Sequence, residues 1–127
     1  MENDVKEIDP RPLTKQESAW TREILQTSEE WKDADISHTQ VIAEGPCDEG
    51  ISILLRAPKP ETSQPGPMEG YIGRVVIWTD DGSMIEIRLT QSARRLHELF
   101  VLFVDPKQPR RTLPERWTEV SHQAFSL

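Results

Sequence analysis

The sequence predicts an α+β domain, an N-terminal helix packed on a five-stranded antiparallel meander sheet, spanning residues 13–127 behind an extended N-terminal arm at 1–12. Three observations predict it. A capping box precedes an apolar stripe at helical spacing, the turn signal Asp80-Asp81-Gly82 divides two β-rich runs, and further runs of β-branched and aromatic residues lie on either side. A length of 127 residues suits one domain of ordinary size.

The arm is charged and carries Pro10 and Pro12, so it reads as extended. Thr14 and Glu17 then form a Thr-x-x-Glu capping box: the hydroxyl accepts from a first-turn amide and the carboxylate reaches back. About 13 helical residues are expected from this start. Ala19, Trp20, Ile24 and Leu25 share one face, with Lys15, Arg22, Glu23 and Gln26 directed elsewhere. Residues 29–38 are mostly polar and read as a connector.

Gln40–Glu44 and Ile51–Ala57 have strand character, and the segment 45–50 between them, with two Gly and one Pro, suits a hairpin loop. Residues 58–70 are rich in proline and glycine, which removes backbone donors and predicts a long loop. Tyr71–Thr79 and Ser83–Thr90 follow as a hairpin. Pairing Thr79 with Ser83 sets Ile77 opposite Ile85, Val75 opposite Ile87 and Gly73 opposite Leu89; a loop one residue shorter would place Glu86 among aliphatics. Residues 92–104 fit helix or strand; strand from about Glu98 is favoured by Phe100-Val101-Leu102-Phe103-Val104, with a turn over Gln91–Arg95 and an end at Asp105-Pro106. The remaining tail is proline-interrupted and is expected to be irregular or to form one short helical turn.

Strand alternation sorts the side chains into two faces. One holds Val41, Ala43, Ile51, Ile53, Leu55, Val75, Ile77, Ile85, Ile87, Leu89, Leu99, Val101 and Phe103, and receives the helix. The other holds Ile42, Leu54, Ile72, Val76, Trp78, Met84, Phe100 and Leu102 among Gln40, Glu44, Arg56, Arg74, Glu86 and Arg88. That second face is too apolar to be simply hydrated. Either the tail, through Trp117, Val120 and Phe125, or the arm covers it, or a partner does. The candidate partner-binding residues are Asp48, Glu49, Arg74, Trp78, Met84, Arg88 and Phe100, and the partner is another protein or a second copy.

Formal net charge is -7, and residues 1–70 hold 7 basic and 15 acidic side chains against 8 and 7 in residues 71–127. An acidic chain repels phosphate backbones, so nucleic acid is not an expected partner. The longest apolar run, Leu99–Val104, is far below the roughly 20 residues of a membrane helix, and no secretory signal opens the chain. Neither membrane insertion nor secretion is expected. Cys47 is the single cysteine, which excludes an internal disulfide and suits the reducing cytoplasm.

No motif carries chemistry outright. Cys47 has Asp48 and Glu49 beside it, which raise a thiol pKa, so a Cys–His nucleophile with His38, His97 or His122 is disfavoured. The histidines lack metal-ligand spacing, and Glu44, Asp48 and Glu49 match no calcium loop. The glycines form neither a dinucleotide fingerprint nor a phosphate loop, so no cofactor is expected. Arg94-Arg95 and Arg110-Arg111 read as solvated charge.

The Leu13-Thr14-x-x-Glu17 helix start, the Asp81-Gly82 hairpin and the closing strand from Glu98-Leu99-Phe100 to Asp105-Pro106, over residues 13–106, resemble small uncharacterised bacterial α+β domains, some of which look like immunity proteins of toxin systems. The resemblance implies a stoichiometric binder rather than a catalyst and carries over no functional residues. The expectation is a non-enzymatic protein-interaction domain, of the kind that inhibits a basic toxin or enzyme. Two alternatives stand beside it: a small-molecule binder or enzyme with a pocket between loop 58–70 and the open sheet face, and a structural homodimer.

Overall fold

The computed structural model describes residues 4–47, 50–58, 69–79, 84–103 and 119–126. Its elements are β1 (Lys6–Pro12), α1 (Lys15–Gln26), β2 (Gln40–Cys47), β3 (Gly50–Arg56), β4 (Glu69–Thr79), β5 (Met84–Ser92), β6 (Arg95–Phe103) and β7 (Glu119–Ser126). The seven strands form one antiparallel sheet in the order β1-β2-β3-β6-β5-β4-β7.

The α+β class with an N-terminal helix is therefore observed, but two features differ from expectation. Among the described residues the sheet has seven strands and not five, because the arm pairs with β2 as β1 and the tail pairs with β4 as β7. Nor is the order a simple meander: β3 lies beside β6 and not β4. Each added strand is a short polar segment with little apolar alternation, and it becomes a strand only because a sheet edge supplies the backbone partners.

Helix α1 begins as its capping box dictates. The Glu17 amide donates to Thr14 Oγ1 at 3.1 Å and the Thr14 amide donates to Glu17 Oε1 at 2.8 Å. Trp20, Ile24 and Leu25 turn inward with Thr21, and the helix packs chiefly on β4, with further contact to β5 and β7. Ala19, expected on that stripe, is exposed. At position 73 only a glycine fits: a Cβ would lie 2.5 Å from the Phe125 carbonyl oxygen and 3.0 Å from Ile24 Cγ2, so β7 and the helix both close over it.

The β4–β5 register is the expected one, with Gly73 opposite Leu89, Val75 opposite Ile87 and Ile77 opposite Ile85. These pairs join Ile51, Ile53, Leu55, Leu99 and Val101 in a single apolar layer beneath the helix, completed by Trp31 and Ile36 from the connector. The connection from β5 to β6 is tighter than the turn expected over 91–95. Ser92 pairs with Arg95, leaving Ala93 and Arg94 at φ 51 and 62, the left-handed region that non-glycine residues adopt at a cost.

Candidate functional site

The sheet face turned away from the helix holds the candidate surface, and two bulges decide its membership. In β4 the register shifts between Tyr71 and Gly73, so Ile72 turns into the core and Tyr71 stands opposite Thr90 on the outer face. This corrects the placement of Ile72. In β2 the shift between Val41 and Ala43 sets Glu44 opposite Ile53 on the helix side, while Ala43 stands opposite Leu54 and outside the core cluster. Both assignments reverse strict alternation, because one extra residue in a strand inverts the facing of all that follow.

Glu44 thereby joins a structural ion cluster. Arg11 of β1 donates from Nη1 to Glu17 Oε1 at 2.8 Å, and from Nη2 to Glu17 Oε2 at 3.0 Å and Glu44 Oε2 at 2.9 Å. One guanidinium thus ties the outermost strand to the helix and to β2. Burial opposes ionisation of Glu17, yet the Arg11 and Thr14 hydrogen bonds outweigh it and hold the carboxyl below its ordinary range.

On the outer face, cross-strand pairing lines up Ser52, Phe100, Arg88, Arg74 and Phe125 across β3, β6, β5, β4 and β7. The neighbouring row holds Leu102, Glu86, Val76 and Gln123. Glu86 is the pivot: it accepts from Arg74 Nη1 at 3.0 Å and from Arg88 Nε at 3.2 Å. Burial pushes the Glu86 carboxyl up, but the Arg88 and Arg74 bonds prevail and its pKa is lowered. The Glu86 hydrogen bond raises that of Arg88.

Each arginine also covers an aromatic ring. The Arg74 guanidinium lies 5.2 Å from the Phe125 ring centre and that of Arg88 lies 5.7 Å from Tyr71. Ser52 Oγ donates to Glu98 Oε2 at the β3–β6 side of the patch. Two polar atoms beneath it, Arg74 Nε and Thr90 Oγ1, are closed to water and have no hydrogen-bond partner. Tyr71 (53% exposed) and Trp78 (37%) are the exposed large hydrophobic residues among those described, and both stand on this face.

Of the candidates named from sequence, Arg74, Trp78, Met84, Arg88 and Phe100 share this face. Asp48 and Glu49 lie outside the described residues, as do Trp117 and the loop segment 59–68 on which the alternative pocket depends. Two participants, Tyr71 and Glu86, were not named as candidates, and Phe125 was named only as part of a tail that could cover this face. Tyr71 depends on the bulge at Ile72, which no local signal announces, and Phe125 depends on the tail becoming a strand. Glu86 was on the correct face by parity alone, and two arginines at the same parity were the available sign of its role.

Among the described residues no three His, Cys, Asp or Glu side chains are grouped to hold a metal ion, and no helix is long and apolar enough to cross a membrane. Comparison of the chain with protein-family models, with curated proteins and with solved structures gives no match.

Proposed function

We propose that this chain is a non-enzymatic protein-interaction domain that docks a folded protein partner on the outer face of its sheet. The observation that carries the reading is the coincidence of Tyr71 and Trp78, exposed, with Arg74, Arg88, Met84 and Phe100 on one face. Tyr, Trp and Arg dominate the energetics of protein interfaces because each supplies large contact area together with a directional polar group. Here the arginines are held in place by Glu86, so little side-chain freedom is lost on docking.

The partner's chemistry follows from charge. Around the aromatic patch Arg74 and Arg88 stand with Glu86 and Glu98, and Arg56 lies on the same face, whereas the chain as a whole carries -7. A basic partner would be drawn in by the overall field and seated on the aromatic and arginine patch. This is the mode of an inhibitor of a basic toxin or enzyme, the class that the sequence resemblance implies.

A photo-crosslinking residue placed at Tyr71, with a control at the exposed Lys32, would label the partner in native cells. The labelled protein is then titrated against the wild-type chain and against Trp78→Ala and Arg88→Ala. Labelling specific to position 71, with binding weakened about tenfold or more by each variant, is the expected result. Equal labelling from position 32, unchanged affinity of both variants, or labelling of a second copy alone would overturn the reading.

A further inference from the structure

We propose that a cleft on the opposite side of the molecule, between the first turns of α1 and the segment 36–39, binds a small organic anion: a carboxylate or phosphate group on a compact apolar body. The cleft is shallow and open to solvent, with room for about 380 Å³, within the size range of small-ligand sites. Lys15, Ser18 and Arg22 line it from the helix, where spacings of three, four and seven residues put them on one side. Ser37 and Thr39 line it from the connector, and Leu13 and Ile36 supply apolar surface.

Three observations favour an anion. Lys15 has no ion pair among the described residues, so its charge is uncommitted. Arg22 donates from Nη1 to the Ala34 carbonyl at 3.0 Å, which holds it at the rim, and among the described residues no other hydrogen bond engages its guanidinium. Thr39 lines the cleft and is 2% exposed, and its hydroxyl, closed off from solvent, has no hydrogen-bond partner among the described residues. The nearby carboxylate is that of Asp35, which accepts from the Ser37 amide at 2.9 Å and also interacts with the charge of Arg22, so Lys15 is the freer of the two cations. In a chain of net charge -7, two cations beside hydroxyls and an apolar wall form a local exception. A charged head between Lys15 and Arg22 with its apolar body against Leu13 and Ile36 would pair with the two cations and cover the apolar surface together.

The test is amide-resolved NMR titration of the full chain with benzoate, phenyl phosphate and neutral benzamide. Expected are saturable shifts confined to residues 13–22 and 36–39 for at least one of the anions, about tenfold stronger than for benzamide. The stronger of the two identifies the head group. Lys15→Gln should weaken that binding about tenfold, and Ala19→Phe, which places a ring in the cleft from an exposed position, should abolish it with the spectrum otherwise unchanged. Absence of saturable shifts, shifts scattered over the surface, equal binding of benzamide, or an unaltered affinity in Lys15→Gln would each overturn the proposal.

Discussion

Removing Arg11 should destabilise the protein far more than the loss of a surface arginine, and the loss should shrink in acid. Glu17 is 6% exposed in its side chain, whereas Arg11 is 30% exposed. In Arg11→Ala the Glu17 carboxylate keeps the Thr14 amide but loses both guanidinium bonds while remaining buried. Breaking a fully buried pair from one side costs roughly 3–5 kcal/mol. Water reaches Arg11, so about 2–3 kcal/mol is the appropriate figure, or a fall of about 10 °C in Tm for a chain of this size.

The sign of the pH dependence follows from burial. In the wild type the Glu17 pKa is lowered, so its contribution is present above the ordinary carboxylate pKa and is lost as pH falls through the folded value. In the variant only burial and Thr14 act, the pKa rises, and protonation relieves the buried charge. Urea unfolding from about pH 7 to about pH 3.5 should therefore show the gap between the two proteins closing. In a Glu17→Gln background Arg11→Ala should cost less than about 1 kcal/mol. A gap that is constant with pH, or equal in both backgrounds, refutes the account.

Other consequences are open to the same unfolding assays. Ala93→Asn with Arg94→Gly, which suits both left-handed positions of the β5–β6 turn, should raise stability by about 1 kcal/mol, seen as a higher urea midpoint at unchanged slope. Gly73→Ala should cost roughly 2 kcal/mol and speed amide exchange in β7, since the added carbon collides with the Phe125 carbonyl. Leu99→Ala, at a fully buried position, should cost about 2–5 kcal/mol, whereas Trp78→Ala on the outer face should cost about 1 kcal/mol or less by thermal melting. Thr14→Ala should cost about 1 kcal/mol through loss of the cap, measured by the same melts.

The two sites differ in how far the sequence reached them. Arg74, Trp78, Met84, Arg88 and Phe100 were legible as one face because the β4–β5 and β5–β6 pairings keep strict alternation through those positions. The cleft at Lys15 and Arg22 was not, since its far wall is a connector without periodicity and its shape exists only once Ile36 is buried.

Local chemistry in the chain determined the helix and its start at Thr14, the β4–β5 hairpin and its register, and the aliphatic layer beneath the helix. Each of these follows from neighbours within a few positions: a hydroxyl and a carboxylate three residues apart, a turn between two runs, alternation on a strand. Tertiary structure alone decided that residues 6–12 and 119–126 become edge strands, that β3 lies beside β6, and that Ile72 and Glu44 turn toward the helix side. A polar segment gains a ladder only where an open sheet edge waits for it, and a bulge forms only where two strands must reconcile their facing, so both answers lie in residues remote along the chain.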